Sequence, residues 1–265
     1  MSNVALAFLL ALLAGLSTGI GGLITFFAKK TNTNFLAVSL GFSAGVMVYV
    51  SLFELLHEAQ GLLSVTLGNK GGEVAAVISF FAGMLFAGII DKILPDDRNP
   101  HEIKQLKTNR SPDFSGKKLM RTGIVTAVAI TIHNFPEGIA TFISVLHDPS
   151  VAMPIVLAIA LHNIPEGISV SVPIYYATGN KKKALLFSFA SGLAEPLGAV
   201  IGYLILMPFL NEAVYGAMFA LVAGIMVFIS FDELLPSARE YGEHHLSIYG
   251  MVAGMAVMAV SLILI

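Results

Sequence analysis

The pattern H-N-x-P-E-G occurs twice in this chain. Its histidine, asparagine and glutamate are His133, Asn134 and Glu137 in the first copy and His162, Asn163 and Glu166 in the second. Residues i and i+4 of an α-helix lie on one face, about 6 Å apart along the axis, so each histidine is expected to point to the same place as the glutamate of its copy. Two neighbouring helices would then present two imidazoles and two carboxylates. This set of nitrogen and oxygen ligands suits zinc and tolerates iron, manganese or cobalt.

A further carboxylate, Glu195 in the sequence SGLAEPLGAV, also precedes a proline. It either completes or bridges the metal site, or caps a broken helix. Within the two motifs, Pro136 and Pro165 have no backbone N–H to donate to the preceding turn. At membrane depth a carbonyl freed in this way is tolerated where it faces a cavity or an ion. The prolines therefore agree with a polar site inside a membrane.

A second group of ligand-type residues lies near the ends of two other apolar segments. Its members are Glu54, His57, Glu58, Asp232 and Glu233. They are either secondary metal stations or acids at the membrane rim. Glu54 and His57 also match half of a di-iron carboxylate pattern, but the sequence lacks the second E-x-x-H that this pattern needs.

The composition predicts that these residues sit in a protein surrounded by lipid. Hydrophobic residues make up 56% of the chain and charged residues 12%, and the mean hydropathy is +0.82. Soluble domains carry about 25% charged residues. The chain has no cysteine, which excludes thiolate ligands and disulfides. It also has no basic stripe with interleaved aromatics, which argues against a nucleic-acid partner.

Apolar runs long enough to cross a bilayer, about 20 residues each, predict an all-α integral membrane protein. The first run lacks the basic start of a secretory signal, so we interpret it as a membrane helix. The predicted helices are 4–28, 35–57, 74–94, 121–146, 152–178, 184–208, 213–235 and 247–265. Residues 1–265 then form a single transmembrane transporter domain, in which the polar segment 95–120 is a flexible cytoplasmic loop.

The distribution of charge supports this count of eight transmembrane helices. Fourteen of the fifteen lysines and arginines fall in or beside loops on one side of the predicted bundle, and the other side has only Lys70. Basic residues favour the cytoplasmic side of a membrane. The N- and C-termini are therefore expected to be extracytoplasmic.

Two internal repeats accompany the motifs. Residues 129–140 recur as 158–169, and residues 44–59 recur as 223–238, with nine of sixteen positions identical in the second pair. In the predicted layout, helices 4 and 5 run in opposite directions, and so do helices 2 and 7. The sequence therefore predicts inverted repeats, an architecture of transporters whose substrate site lies between the repeats.

These motifs resemble the ZIP family of divalent-metal transporters, and most closely its short prokaryotic branch. The resemblance covers nearly the whole chain and is most specific at HNFPEG, HNIPEG and SGLAEP. It implies a binuclear metal site. By that likeness, one ion binds His133, Glu137, His162 and Glu166, and the other binds Asn134, Asn163 and Glu195, with Glu137 and Glu166 bridging.

The resemblance also implies a function and a setting. It implies uptake of Zn2+ into the cytoplasm by alternating access, with Fe2+, Mn2+ and Co2+ as competing substrates and no resident cofactor. Its expected location is the cell membrane, as a multi-pass protein and a homodimer. The alternatives are a membrane-embedded metalloenzyme, although the sequence has no H-E-x-x-H motif, and a metal-selective channel with the same ligands.

Overall fold

A computed structural model gives the arrangement of the chain. It describes residues 3–29, 32–93, 116–147, 152–206, 209, 211–241 and 244–264. Throughout these ranges the regular structure is helical, without a β-strand. Most of the predicted loop 95–120 lies outside the described residues. Its last five residues belong to a helix that begins at Gly116, because polar residues can extend a helix beyond the apolar stretch that predicts it.

The described residues form ten α-helices. They are α1 (Asn3–Gly22), α2 (Thr33–Val50), α3 (Leu56–Ile93), α4 (Gly116–His147), α5 (Ala152–Thr178), α6 (Lys181–Gly192), α7 (Ala194–Ile201), α8 (Glu212–Ile229), α9 (Leu235–Tyr241) and α10 (His244–Leu264). A 3₁₀ turn, Leu23–Phe26, extends α1. Three single π-helical turns, Ser51–Leu55, Gly202–Leu206 and Ser230–Leu234, join or extend helices.

The helices carry the apolar surface that a membrane protein needs. In the part of the chain that the structure describes, five helical segments are long and apolar enough to cross a bilayer: 3–26, 33–92, 181–205, 212–240 and 245–263. Large hydrophobic side chains such as Phe27, Leu85 and Ile263 are exposed on the outside. These observations confirm the predicted all-helical membrane protein.

Asparagines mark where three helices begin. Asn32, Asn180 and Asn211 each accept a hydrogen bond through Oδ1 from the backbone N–H three residues later, at 3.0 Å in every case. This is the standard side-chain cap for a helix start. The polar positions that separate apolar runs in the sequence therefore fix the first turns of α2, α6 and α8.

The chain reverses at Gly68 without a loop. Gly68 adopts φ 72° inside α3, a left-handed conformation that glycine adopts most readily. A Cβ on Gly72 would meet the backbone of Ser64, so the two halves of α3 lie side by side. The sequence predicted a break between 57 and 74, whereas the structure is helical up to the single turning residue.

The repeat 44–59/223–238 has the same local structure in both copies. The π-helical turns Ser51–Leu55 and Ser230–Leu234 occupy equivalent positions. At the start of each turn, the serine hydroxyl donates to a carbonyl four residues back, Ser51 to Met47 at 2.6 Å and Ser230 to Met226 at 2.8 Å. Wider π-helical turns often mark functional sites.

Glycines bring α1, α4, α5, α6 and α7 into backbone contact, and we call these helices the motif bundle. A Cβ on Gly15 would meet the Gly192 carbonyl, one on Gly167 would meet the Thr18 carbonyl, and one on Gly138 would meet the Glu195 carbonyl. The helices α2, α3, α8 and α10 pack similarly with one another, and we call them the second bundle. One example is Gly83, which lies against the Leu221 carbonyl.

Candidate metal centre

The two motif helices, α4 and α5, lie side by side and run in opposite directions. A Cβ on Gly123 would meet the Ile174 side chain. His133, ten residues after Gly123 on α4, contacts Glu166, which comes before Ile174 on α5. The contacts therefore advance along α4 as they go back along α5. The Nε2 atom of His133 lies 3.3 Å from Glu166 Oε1 and 3.6 Å from Glu137 Oε2. The histidine of the first motif therefore meets a glutamate from each copy.

Asn134 belongs to the same cluster. We place the Asn134 amide in the orientation in which both its oxygen and its nitrogen have suitable hydrogen-bonding neighbours. Its nitrogen then donates to the Ile130 carbonyl and to Glu166 Oε2, each at 3.2 Å. Asn134 is fully buried, as is Glu166. The first motif therefore places both its histidine and its asparagine against the glutamate of the second motif.

Asn163 and Glu195 form the neighbouring part of the cluster. The Asn163 amide nitrogen donates to a carboxylate oxygen of Glu195 and, at 3.1 Å, to the Ala14 carbonyl of α1. Both side chains are fully buried. Among the described residues, Asn163 Oδ1 and Glu195 Oε2 have no hydrogen-bond partner. Two buried acceptor oxygens that lack donors indicate that a cation or water belongs beside them.

The break in the sixth predicted helix positions Glu195. α6 ends at Gly192 and α7 begins at Ala194, so Glu195 lies in the first turn of α7. Gly138 of the first motif lies against the Glu195 backbone because it has no side chain. The glycine of H-N-x-P-E-G therefore allows α7 to bring its carboxylate to the motifs.

The remaining predicted ligand is His162. Its backbone belongs to α5, directly before Asn163. The His162 side chain lies outside the described residues, so its membership of the cluster stays a prediction.

The charge of the cluster favours a metal cation. Glu137, Glu166 and Glu195 are all buried. From Thr122 to Asn180 the sequence contains no lysine or arginine, so neither motif helix supplies a permanent positive charge at this depth. A buried carboxylate is stable when it is paired or coordinates a metal.

The residues of the second predicted group differ in their burial. Glu54 is partly buried, His57 and Glu58 are exposed, and Asp232 is partly buried, whereas Glu233 is buried. Their positions by themselves leave both earlier interpretations, metal stations and rim acids, as hypotheses.

Glu233 takes part in a network that the motif analysis did not find. Arg121 donates to Glu233 at 2.7 Å and to Asp91 at 2.6 Å. Thr122 donates to the other Glu233 oxygen at 3.0 Å and lies 3.2 Å from the Ser237 hydroxyl. These residues are far apart in sequence. Glu233 and Ser237 belong to the repeat 223–238, whereas Asp91, Arg121 and Thr122 belong to no repeat. The available sequence signal is only that Asp91 and Arg121 flank the polar segment 95–120.

Fold and site together define a multi-pass helical membrane protein with a buried cluster of histidine, asparagine and glutamate side chains, contributed by α4, α5 and α7. The chain belongs to the ZIP family: the family model described as "ZIP Zinc transporter" matches residues 91–262. Members of this family are transporters, which excludes the metalloenzyme alternative.

Curated relatives agree over nearly the full length. The chain is 63% identical to the zinc transporter ZupT of Streptococcus mutans over 97% of each protein. It is 59% identical to the zinc transporter ZupT of Clostridium perfringens, covering 100% of this chain and 97% of the relative. The zinc transporter ZupT of Oceanobacillus iheyensis is also 59% identical, over 100% of both. The predicted likeness to the short prokaryotic branch is therefore confirmed as likeness to ZupT transporters.

Proposed function

We propose that this protein carries divalent metal ions, zinc foremost, across the cell membrane into the cytoplasm. The observation that carries the proposal is the buried contact of His133 with Glu137 and Glu166, which joins both motifs in one site. Relatives at 59–63% identity are zinc transporters by name. The same nitrogen and oxygen donors suit Fe2+, Mn2+ and Co2+ as competing substrates.

The proposed site holds two ions. The first is bound by His133, Glu137, His162 and Glu166, and the second by Asn134, Asn163 and Glu195, with Glu137 and Glu166 bridging. Support for the second ion comes from Asn163 Oδ1 and Glu195 Oε2, which have no donor among the described side chains. Amide and carboxylate oxygens of this kind are suitable ligands for a divalent cation.

The proposed architecture has eight membrane crossings with both termini outside. The reversal at Gly68 supports it, because this turn divides the segment 33–92 into two antiparallel helices. The chain then passes through the membrane twice where a continuous helix would pass once.

Contacts between the repeat copies support an inverted arrangement. Gly216, near the start of α8, lies against Leu63, while Ala223 and Val227 further along α8 pack with Leu55 and Leu56. From Gly216 to Val227 along α8, the contacted residues change from Leu63 back to Leu55 and Leu56. The two segments are therefore antiparallel, so the copies 44–59 and 223–238 point in opposite directions. The antiparallel pair α4 and α5 gives the same relation for the two metal motifs.

We propose alternating access in which the motif bundle moves against the second bundle, in each subunit of a homodimer. A cavity of about 590 Å³ lies at the boundary between the bundles, lined by Ile132 and Pro136 of α4 and by residues of α3 and α8. Its lining is almost entirely apolar. Space of this kind supports relative movement because no buried polar contact has to break there.

The test is uptake of radiolabelled zinc by proteoliposomes. The native chain is compared with the double variant His133→Ala/His162→Ala and with His245→Ala, a control in which the altered histidine is exposed on α10. We expect saturable uptake by the native chain and the control, and loss of uptake in the double variant. Full uptake by the double variant would refute the site, single-channel conductance would favour a channel, and tight zinc binding without uptake would overturn transport.

A further inference from the structure

One threonine in the first third of α4 has a buried hydroxyl without a hydrogen-bond partner among the described residues. Thr126 is fully buried, and its Oγ1 makes no hydrogen bond to any described residue. Serine and threonine in helices usually donate to a carbonyl one turn back. Thr131 on the same helix does so, to the Ala127 carbonyl at 2.7 Å. The absence of this bond at Thr126 leaves a hydroxyl available to a ligand.

The position of Thr126 on α4 connects two polar sites. Thr122, Thr126, His133 and Glu137 follow one another at spacings of four, seven and four residues, which places them on one face of a helix with 3.6 residues per turn. Along the axis, Thr126 lies about 10 Å from His133 and about 6 Å from Thr122. Between Thr122 and His133 the α4 sequence is apolar except for Thr126 and Thr131.

A polar cluster occupies the far end of this face. Thr122 donates to Glu233, which also accepts from Arg121, and Arg121 reaches Asp91. Carboxylate oxygens of Asp91, Asp232 and Glu233 lie within 4.8 Å of one another. An ion that leaves the His133 site along α4 would therefore reach a group of carboxylates after crossing an apolar stretch of about 16 Å.

A second unpartnered hydroxyl lies at the same depth. Gly123 of α4 is level with Ile174 of α5, and the helices are antiparallel, so Ser171 is level with Thr126. Ser171 is fully buried, and its Oγ has no hydrogen-bond partner in the described part of the chain. Thr126 and Ser171 therefore place two polar groups at the same depth inside an otherwise apolar region.

We infer that Thr126 is a step on the ion's path between the metal centre and the Thr122–Glu233 cluster. Its hydroxyl oxygen accepts a hydrogen bond from a water molecule that the divalent ion retains, and so lowers the cost of crossing the apolar stretch. The inference rests on the proposed transport function. It deepens that function by assigning a residue which no repeated motif marks.

The first experiment uses Thr126→Val, which keeps the shape of the side chain and removes the hydroxyl. We expect about a tenfold lower maximal rate of zinc uptake into proteoliposomes, the size expected for one lost hydrogen bond to a charged species. Zinc bound at equilibrium by the purified protein should be unchanged, because Thr126 lies outside the ligand set. Thr126→Ser should retain uptake, and Thr131→Val is the matched control. A native maximal rate in Thr126→Val overturns the inference.

A second experiment gives an answer even if the native protein fails to transport. The chain has no cysteine, so Thr126→Cys introduces a single thiol. We expect this thiol to react with a small cationic methanethiosulfonate, and zinc to slow the reaction at least severalfold. Ser261→Cys, at a buried position of α10 outside the proposed path, should stay unreactive. Failure of native uptake would refute the proposed function alone, whereas an unreactive thiol at 126 in folded protein would refute the path.

Discussion

His133 Nε2 lies 3.3 Å from a carboxylate oxygen of Glu166. The two residues come from different copies of the same motif, on antiparallel helices. In the proposed centre, both copies of the repeat therefore contribute to one cluster and not to two separate sites. A substitution in either motif should consequently affect the same bound ion.

The number of bound ions tests the binuclear centre. We expect the purified native protein to bind two zinc ions per chain and Glu195→Gln to bind one tightly, because this change removes the charge from the carboxylate that partners Asn163. Equilibrium dialysis with metal analysis gives both numbers. Glu73→Gln, which alters an exposed carboxylate outside every proposed site, serves as the control. Two tightly bound ions in Glu195→Gln would contradict the proposed ligand set.

Gly138→Ala should disrupt the centre through the backbone. The added Cβ would meet the Glu195 carbonyl, so α7 has to move away from α4 and take its carboxylate with it. We expect a destabilisation of about 1–3 kcal/mol, as for other overpacked interiors, together with loss of zinc uptake. Gly61→Ala is the matched change, since a Cβ there meets nothing within 4 Å. Thermal unfolding in detergent and uptake assays measure both effects, and equal behaviour of the two variants would refute the close-packing argument.

Arg121→Leu should lower stability by about 3 kcal/mol, because it leaves Asp91 and Glu233 without their common partner. Adding Glu233→Gln to this variant should restore part of the loss by removing one of the two uncompensated charges. The melting temperatures of the single and double variants measure the coupling. Arg239→Leu, on an exposed position of α9, provides the reference for removal of an arginine. A double variant less stable than Arg121→Leu would disprove this account.

Ser43→Ala tests a link between the two bundles. The Ser43 hydroxyl on α2 donates to the Pro165 carbonyl of the second motif at 2.7 Å. Its removal should cost about 1 kcal/mol of stability. If the motif bundle moves against α2, this bond breaks in each cycle, and the maximal uptake rate of the variant should not fall below the native value. Ser51→Ala, which removes a hydrogen bond within one helix, is the control, and a selective fall in the rate of Ser43→Ala would contradict the proposed movement.

Most of the helical pattern was predictable because it depends on local composition. The predicted helix 152–178 coincides with α5, and the predicted start at 213 is one residue from that of α8. The motif residues were predictable for a similar reason, since the spacing of four between His133 and Glu137 fixes their common face. In the structure, His133 Nε2 lies 3.6 Å from Glu137 Oε2, and the full ligand set stays a prediction.

The remaining features depend on contacts between segments that are distant in sequence. Gly68 is one of several glycines in a polar stretch. The sequence does not show at which of them the chain reverses, because that depends on how the two halves of α3 pack. In the sequence-based prediction Arg121 is a loop charge, although its partly buried side chain bridges Asp91 and Glu233. The spacing places Thr126 on the helix face of His133, but the lack of a hydrogen bond at Thr126, in contrast to Thr131, appears only when burial and hydrogen bonds are known.

The glycine contacts of the motif bundle restrict how its helices can move. Where Gly15 meets Gly192 and Gly138 meets Glu195, the main chains touch with no side chain between them. A slide of one helix by a single position would drive a bulkier residue into its neighbour's main chain. The proposed ligands on α4, α5 and α7 therefore share any large displacement, so the ions should move with their coordination shell intact. Release into the path past Thr126 should then follow exposure of the whole shell on the far side, and not the withdrawal of one ligand at a time.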